Sequence, residues 1–261
     1  MFLGAGNLVV FMKNKFIYLI CTFLLLSNVI LLGLIYYKTN LIQRIGVRMG
    51  LIEQKLTDRS DYWCIQGWTN TLKKMDVDFD VVFFGNSITR GSSFHEYFSD
   101  VKICNLGYPG DNLDGMILRV DQIKAVKAEK VFLMAGINGL QVQTLDVFES
   151  KYDRLIKEIK KANPDIVLYL QSILPVNNDI AQNKYASNEK IMKANNIIER
   201  IAKNNGCEYI NVFDLYIKDG MLDCSVTKDG VHLLPNAYGK WAHLLRPYIE
   251  NDDIHCQLIL E

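Results

Sequence analysis

The stretch DVVFFGNSIT, residues 80–89, decides the fold of this chain. A short, dense apolar run ends abruptly at Gly-Asn-Ser, which is typical of a buried parallel strand that runs into a tight turn. Open α/β sheets place their sites just past the carboxyl ends of their strands, so Ser87 is expected at the mouth of a crevice. Taken alone, Ser87 suits a turn or a helix N-cap as well as it suits a nucleophile. The rest of the chain has to decide between these interpretations.

From Val81 onward, short apolar runs alternate with amphipathic stretches, without an internal repeat. This alternation predicts an α/β domain with a doubly wound parallel sheet. Further strands are predicted at Val101–Leu106, Lys130–Ala135, Ile166–Ile173 and Glu208–Val212. Helices are predicted at Leu113–Val126, Leu145–Ala162, Asn188–Asn205 and Asn236–Ile249.

The composition excludes several classes of protein. The 261 residues include 29 basic and 29 acidic side chains, so the chain has no global charge to attract a nucleic acid. Charged residues at 22% and aromatic residues at 11% are those of an ordinary folded protein. Neither glycine-rich nucleotide-binding motif occurs, and Thr89 stands where the G-x-S-x-G nucleophile elbow of the α/β-hydrolase fold needs its last glycine. A nucleic acid is therefore not expected as a partner.

The cysteines do not form a recognisable framework. None of the six belongs to a C-x-x-C pair or to a zinc spacing with histidine. One lies in the apolar N-terminal segment, which leaves an odd number elsewhere, so a complete set of disulfides is not expected. One or two bridges, and the redox compartment, stay open. The six are Cys21, Cys64, Cys104, Cys207, Cys224 and Cys256.

Residues 16–37 are apolar almost throughout and carry no charge. Roughly 20 such residues cross the hydrocarbon core of a bilayer as a helix. Lys13 and Lys15 precede the run, and its end is a poor cleavage site, so we expect a retained transmembrane signal anchor whose partner is the lipid bilayer. The predicted topology is a single-pass membrane protein with residues 1–15 in the cytoplasm and the folded domain outside it, in the periplasm or at the cell surface.

Residues 38–77 are interpreted as a helical stalk or linker, followed by the α/β domain at 78–261. Apolar residues recur at helical spacing from Leu41 to Leu56. Tyr62, Trp63 and Trp68 then fall on a second short helix. These aromatic residues suit either packing against the domain, which we favour, or a platform for a ligand.

Four polar or glycine-rich loops follow the predicted strands or precede the last helix. The carboxyl ends of parallel strands meet at one edge of a sheet, so all four loops can converge on one crevice. The loops are Gly85–Thr89, Asn105–Asp111, Gly136–Gly139 and Asp229–Pro235.

These loops contain the side chains that ester hydrolysis needs. Ser87 can act as the hydroxyl nucleophile and His232 as its base, while Asp229, three residues earlier, can hold the other ring N–H of that histidine on one turn. An oxyanion intermediate also needs donors aimed at its charge, each worth roughly 3–4 kcal/mol. The backbone N–H groups of Ser87 and Gly107 and the side-chain amide of Asn138 are donors of the right kind. Gly107 also permits a close backbone approach because it has no Cβ.

Simpler interpretations exist for each of these residues. His232 can be a surface histidine, Asn138 can cap its own loop, and Asp229 can be a helix-entry residue before Pro235. Residues 177–179 follow a strand end and can either line the crevice or form an exposed loop. The histidines without a partner at useful spacing are interpreted as structural or exposed, namely His95, His243 and His255.

The order Gly-x-Ser, then Gly, then Gly-x-Asn, then Asp-x-x-His resembles the SGNH (GDSL-like) hydrolase superfamily. The resemblance covers about residues 78–250 and looks closer to the subgroup with the platelet-activating-factor acetylhydrolase-like and carbohydrate acetylesterase members. It implies a three-layer α/β/α sandwich with a five-stranded parallel sheet of the flavodoxin-like kind. No metal and no organic cofactor are implied.

The resemblance also assigns roles to residues. It implies that Ser87 is the nucleophile, that Gly107 and Asn138 complete the oxyanion hole with the Ser87 N–H, and that Asp229 and His232 finish the catalytic triad.

The chain departs from the family pattern at two positions. The usual Gly-Asp-Ser is Gly-Asn-Ser here, so Asn86 keeps the shape and one acceptor but loses a charge. The usual Gly-x-Asn-Asp ends in Gly139 instead of a carboxylate. Neither change touches the predicted triad.

Together these inferences predict a membrane-anchored serine esterase that hydrolyses short acyl esters, above all acetyl esters, on a carbohydrate or a cell-surface glycan. The preference for a short acyl group rests on the family resemblance alone. Two alternatives stay open: a glycan O-acyltransferase that uses the same triad, and a catalytically silent glycan-binding domain.

Overall fold

The computed structural model of the chain describes residues 5–39, 45–46, 62–75 and 77–250. Its first element is one long helix, α1, Ala5–Thr39. Within the described residues, Lys15–Ile35 is the one helical span whose length and composition would allow it to cross a membrane, and its side chains are exposed. Most of the predicted stalk at 38–77 lies outside the described residues.

The sheet has five strands, all parallel, in the order β2-β1-β3-β4-β5. This is the flavodoxin-like order, so the predicted fold class is confirmed. A separate pair of short antiparallel strands, β6 and β7, lies later in the chain. The strands are β1 Val81–Gly85, β2 Ile103–Gly107, β3 Lys130–Met134, β4 Val167–Gln171, β5 Glu208–Ile210, β6 Ile217–Lys218 and β7 Met221–Leu222.

Strand β1 is an internal strand of the sheet, because it pairs with β2 on one side and β3 on the other. All five of its residues are buried. A parallel strand covered on both faces needs apolar side chains at every position, which explains the continuous run Val-Val-Phe-Phe.

One face of the sheet is an aromatic layer. Phe83, Phe132 and Tyr169 lie in register on β1, β3 and β4, and their rings stack with centroid distances of 5.2 and 4.6 Å. Phe94 packs on Phe83 at 4.3 Å, and Trp241 of the C-terminal helix meets Phe94 edge to face. The C-terminal helix and the short helix at Phe94 therefore cover this face.

Helices cover the opposite face as well. Successive strand residues point to opposite faces, and all five residues of β1 are buried. Helix Leu145–Ala162 is capped by the Thr144 side chain, which accepts from the Val147 N–H at 3.3 Å. Its apolar residues recur every three or four positions and are buried, from Phe148 to Ile159. Helix Asn188–Asn204 lies beside it. The molecule is thus the predicted three-layer α/β/α sandwich.

The remaining helices are short or lie at the ends of the chain. After α1 come α2 Tyr62–Met75, α3 Ser87–Arg90, α4 Phe94–Tyr97, α5 Leu113–Ile117, α6 Asp121–Val126, α7 Ile137–Leu140, α8 Leu145–Ala162, α9 Asn178–Ala181, α10 Asn188–Asn204 and α11 Tyr238–Glu250. Short 3₁₀ turns lie at Phe213–Leu215, Cys224–Val226 and Pro235–Ala237.

The helix predicted over Leu113–Val126 is two helices, and the continuous prediction was wrong. The Arg119 N–H bonds to the Met116 carbonyl at 3.1 Å, one residue short of the α-helical partner, so the chain tightens between α5 and α6. The Arg119 side chain is buried at this break. A buried arginine inside an amphipathic stretch gives no periodic signal of such a break.

Helix α2 packs through Ile65 and Leu72, which are buried. Trp63 is 78% exposed and Trp68 is 44% exposed. The expectation that these two tryptophans pack against the domain was therefore wrong. The sequence pattern shows which side chains are large and apolar, but it does not show which side of a short helix meets the core.

The described cysteines form no disulfide: Cys21, Cys64, Cys104, Cys207 and Cys224 are free, and Cys256 lies outside the described residues. Within the same part of the chain, no three His, Cys, Asp or Glu side chains are grouped as a metal site would require.

Candidate active site

The predicted loops converge at the carboxyl edge of the sheet. Strand β1 ends before Ser87, and its two neighbours, β2 and β3, end before the loops that contain Asp111 and Asn138. The connection that follows β1 leads to β2 on one side, whereas the connection that follows β3 leads to β4 on the other. Ligands bind at such a switch point in doubly wound sheets.

Ser87 is the first residue of α3. The side chain of Asn86 caps this helix, because its Oδ1 accepts from the Ile88 N–H at 2.9 Å. The strand-to-helix turn is so tight that a Cβ on Gly85 would lie 2.0 Å from the Thr89 Oγ1 atom. Glycine at position 85 is therefore required for the turn that presents Ser87.

Asn86 keeps the acceptor role of the aspartate that the family pattern has at this position. The residue is 1% exposed. Its Nδ2 atom has no hydrogen-bond partner in the described part of the chain. The substitution thus preserves the helix cap and removes the charge.

A continuous chain of hydrogen bonds joins Ser87, His232 and Asp229. The His232 Nε2 atom lies 2.8 Å from Ser87 Oγ, and Nδ1 lies 2.6 Å from Asp229 Oδ2. An ionised carboxylate only accepts, so Nδ1 carries the proton and Nε2 is left as an acceptor facing the serine hydroxyl. The arrangement allows the histidine to take the serine proton.

Asp229 is held ionised by its contacts. Partial burial acts to raise its pKa, but hydrogen bonds from the His232 ring, the His232 N–H and the Val231 N–H outweigh it and lower the pKa to about 2. The two backbone N–H groups donate to Oδ1 at 2.8 and 3.0 Å. One carboxylate oxygen therefore shapes the loop, while the other orients the ring.

The Asp229–His232 loop depends on a close contact that sequence analysis missed. Gly230 has φ +82, and a Cβ there would lie 2.3 Å from the carbonyl oxygen of Asn177. The Asn177 N–H donates to the Gly230 carbonyl at 2.8 Å, and Thr227 Oγ1 accepts from the Gly230 N–H at 3.0 Å. Asn177 and Thr227 thus fix the loop that presents the histidine.

Residues 177–179 fit neither of the two interpretations for the whole segment. Asn177 is buried, and its Oδ1 caps α9 by accepting from the Ile180 N–H at 3.3 Å. Asn178 is half-buried, and Asp179 is exposed. The only sequence signal for the role of Asn177 was its place after a predicted strand.

Gly107 lies where β2 presses against α3. A Cβ at this position would lie 2.3 Å from the Arg90 backbone nitrogen, so the close backbone approach expected here is present. The Gly107 N–H, however, donates to Asn105 Oδ1 at 2.9 Å. The predicted oxyanion donor is therefore engaged within the chain.

Gly110, three residues later, is exposed and has φ +72. It occupies the third position of a turn closed by the Asp111 N–H, which donates to the Tyr108 carbonyl at 3.2 Å. With Pro109 before it, this is the pattern of a type II turn. Among the described residues, the Gly110 N–H has no hydrogen-bond partner. The Pro-Gly pair was the available sequence signal for this turn.

Asn138 reaches back to the same loop. Its Nδ2 atom donates to the Asp111 carbonyl at 2.9 Å, and a primary amide has a second N–H to offer. The following Gly139 has φ +105, a conformation that suits glycine and not the aspartate of the family pattern. The loop is thus adapted to glycine, and the Asp111 carbonyl holds the amide.

The structure places the other histidines away from this cluster of contacts: His95 and His243 are exposed, and His255 lies outside the described residues.

A parallel α/β sheet with Ser, His and Asp in contact at its carboxyl edge is an arrangement found in serine acyl hydrolases. The model of the GDSL-like Lipase/Acylhydrolase family matches residues 83–240, more than half of the chain, and the chain belongs to this family. It is therefore an enzyme of the GDSL/SGNH esterase type.

Solved structures agree with this assignment. A protein from Streptococcus pneumonia named as a platelet activating factor is 27% identical, with a TM-score of 0.65 over 71% of this chain and 91% of that one. A GDSL-like lipase from Bacteroides thetaiotaomicron is 23% identical, with a TM-score of 0.62 over 71% and 97% of the two chains. A mutant acetyl-xylooligosaccharide esterase from Geobacillus Stearmophilus shares the fold at 15% identity, with a TM-score of 0.53 over 69% and 97%. No curated protein sequence matches the chain.

Proposed function

We propose that the protein is a serine esterase that removes short acyl groups, above all acetyl, from a carbohydrate or cell-surface glycan through an acyl-enzyme on Ser87. The observation that carries the proposal is the hydrogen-bond chain from Asp229 through His232 to Ser87, with distances of 2.6 and 2.8 Å.

The reaction then follows from the geometry. His232 Nε2 takes the proton of Ser87 as Oγ attacks the ester carbonyl carbon. The imidazolium, held by Asp229, returns this proton to the leaving alcohol, and the acyl group stays on Oγ. Water next attacks the acyl carbon and gives a proton to Nε2, which passes it back to Ser87 as the carboxylic acid leaves.

The oxyanion is assigned to donors from three loops. The Ser87 N–H is at the first residue of a helix, where backbone N–H groups lack an intrahelical partner. Asn138 supplies its second amide hydrogen. For the third donor the sequence predicts Gly107, whose N–H would first have to leave Asn105. The Gly110 N–H has no hydrogen bond to break first within the described residues. Gly110 also adjoins Asp111, whose carbonyl accepts from the Asn138 side chain, so we favour Gly110 as the third donor.

The exposure of the triad supports a large polar substrate. The His232 side chain is 42% exposed and that of Asp229 is 55% exposed. An acyl group carried on a glycan can reach such a site from solvent. The sequence resemblance to carbohydrate acetylesterases supports acetyl as the acyl group.

Hydrolysis of ester panels tests this proposal. With p-nitrophenyl acetate, butyrate and octanoate, we expect kcat/KM to fall as the acyl chain lengthens, and acetylated oligosaccharides should release acetate. A preference for octanoate would contradict the short-acyl assignment. Transfer of the acetyl group to an added acceptor sugar, in preference to water, would instead identify the transferase alternative.

Replacing Asn138 with alanine tests the oxyanion hole. Loss of one oxyanion donor lowers kcat by about 10²–10³-fold, so Asn138→Ala should lose that much with little change in KM. Steady-state kinetics on p-nitrophenyl acetate measure both constants. Asn183→Ala is the control, because the Asn183 side chain has no bond to the site in the described residues, and it should keep the wild-type kcat. Equal kcat and KM values for the two variants would show that Asn138 is not an oxyanion donor.

We further propose that residues 16–37 anchor the enzyme in a lipid bilayer, with residues 1–15 in the cytoplasm and the esterase domain outside. The length and composition of the helix support the anchor. External protease should digest the domain on intact cells once any outer membrane has been permeabilised. Digestion only after lysis would overturn this topology.

A further inference from the structure

Arg119 lies at the break between α5 and α6 and is almost completely buried. The residue is 1% exposed, and its guanidinium forms an ion pair with Asp111 in which neither side chain is exposed. The Nε atom donates to Asp111 Oδ2 at 2.6 Å. The guanidinium also lies over the rings of Phe84 and Tyr108, at 4.1 and 4.6 Å from their centroids.

The same guanidinium binds the backbone of two of the loops that converge on Ser87. Its Nη2 atom donates to the Gly85 carbonyl at 2.9 Å, two residues before Ser87. Its Nη1 atom donates to the Leu106 carbonyl, also at 2.9 Å, at the end of β2. The Gly85 carbonyl also accepts from the Tyr108 N–H at 3.1 Å, so this one oxygen joins the end of β1 to the residue after β2.

The third loop is reached through Asp111. This residue binds Arg119 with its carboxylate, while its backbone carbonyl accepts from Asn138 Nδ2 at 2.9 Å. Asp111 also follows Gly110 directly. The Ser87 and Gly110 N–H groups are therefore one or two residues from a group that Arg119 binds, and the Asn138 amide is bonded to Asp111 itself.

Stability alone is a weak explanation for such a pair. Removing two charges from water costs several kcal/mol per ion, and a buried ion pair often adds no net stability over apolar side chains of similar volume. What arginine does offer is a planar fork of five N–H donors that fixes several acceptors in one geometry. A lysine has the charge but not the fork.

We propose that Arg119 is a positioning residue of this esterase: it holds the Ser87 turn, the Gly107–Gly110 loop and, through Asp111, the Asn138 amide in the geometry that receives the oxyanion. The inference rests on the proposed function, because it assigns a role within the same oxyanion hole. Arg119 does not touch the reacting atoms and acts only through these groups.

The network continues into helix α2. The Gln122 side chain accepts from Arg119 Nη1 at 3.1 Å and donates to Thr69 Oγ1 at 3.1 Å. Gln122 is 0% exposed. Helix α2 therefore contacts the residue that supports Arg119 and is part of the structure around the site.

Arg119→Lys in the detergent-solubilised full-length chain tests the proposal. A catalytic group that moves by about 1 Å can cost 10²-fold in rate, so kcat on p-nitrophenyl acetate should fall about 10²-fold with KM within about threefold of the wild type. Asp111→Asn is the second variant, and its kcat should fall about tenfold, since it keeps an acceptor for Arg119 but not the charge. Thermal unfolding of each variant shows that the assay temperature lies below its transition.

Lys151→Met is the matched control. It removes another poorly exposed ion pair, Lys151–Asp114 at 2.5 Å, which makes none of the contacts to the three loops. This variant should keep the wild-type kcat even where its melting temperature falls. A loss equal to that of Arg119→Lys would show a general effect on stability and overturn the positioning role.

A double-mutant cycle separates positioning from a generic defect. If Arg119 acts through the donors, its substitution should cost much less in an Asn138→Ala background than in the wild type. The proposal would be contradicted if the kcat losses of the two single variants multiplied in full in the double variant. Wild-type kcat in both Arg119→Lys and Asp111→Asn would also contradict it. An active wild type with an inactive Ser87→Ala variant keeps the proposed function in place whatever Arg119 does, whereas an inactive wild type would overturn both.

Discussion

Ser87→Ala is expected to lower kcat by about 10⁶-fold, the loss seen when a triad serine is removed from a serine hydrolase. The covalent intermediate forms on Ser87 Oγ, and water held by the remaining groups replaces it poorly. The fold should be unchanged, because the hydrogen bond that the substitution removes joins Ser87 Oγ to His232 Nε2 at the active site. Hydrolysis of p-nitrophenyl acetate and covalent labelling by a fluorophosphonate probe measure the two consequences.

Ser93→Ala is the matched control for this experiment. Ser93 lies in the same segment, at the N-cap of α4, where its side chain makes no capping bond. We expect this variant to be labelled and to hydrolyse the ester like the wild type. Labelling of Ser87→Ala at the wild-type rate would place the nucleophile elsewhere, and an unlabelled, inactive wild type would favour a silent glycan-binding domain.

Asp229→Asn is expected to lower kcat by about 10⁴-fold while the loop keeps its shape. The asparagine Oδ1 can still accept from the Val231 and His232 N–H groups. Its Nδ2 atom, however, would present a donor to His232 Nδ1. The ring would then take the tautomer whose Nε2 carries the proton and cannot accept one from Ser87. The kcat of purified protein on p-nitrophenyl acetate measures the loss.

Asp223→Asn controls for the loss of a surface carboxylate. Asp223 also accepts a backbone bond, from the Ser225 N–H at 2.9 Å, but it lies outside the hydrogen-bond chain of the triad. It should keep the wild-type kcat. If both variants behaved alike, the orienting role of Asp229 would have to be abandoned.

The low pKa of Asp229 also fixes a pH dependence. This pKa of about 2 lies below the ordinary value of 3.8 for an aspartate. Ionised Asp229 therefore stabilises the native state at pH values above 3.8, and this stabilisation is lost as the pH falls through about 2. The carboxylate should therefore stay ionised at every pH where the enzyme is assayed. A decline of kcat between pH 8 and pH 4 would report another group, and a pH-rate profile of the wild type checks this expectation.

Much of the fold was accessible to sequence analysis because the sheet is buried on both faces. Such strands must be apolar at every position, so runs like that of β1 stand out. The helix at Leu145–Ala162 was predicted with its observed bounds, since its apolar residues recur at helical spacing. The break at Arg119 and the outward orientation of Trp63 were not predictable, because both depend on which neighbours the folded chain supplies.

The contacts of the candidate site also divide into a local one that the sequence predicts and a long-range one that depends on the fold. Asp229 and His232 are three residues apart, so their contact is a local property that the sequence reveals. Ser87 lies 145 positions from His232. Only the order of motifs along the chain suggested that they meet, and only the folded domain brings Oγ and Nε2 to hydrogen-bond distance.

The sequence by itself determined that β1 is a buried strand, that it ends in a glycine turn before Ser87, and that three more loops end at the same edge. These are consequences of residue size, polarity and spacing along one chain. Tertiary structure decided that Ser87 Oγ meets His232 Nε2, and that Arg119 joins the Gly85, Leu106 and Asp111 groups. The physical reason is that a hydrogen bond is set by distance and direction, which the sheet fixes for residues that the sequence leaves far apart.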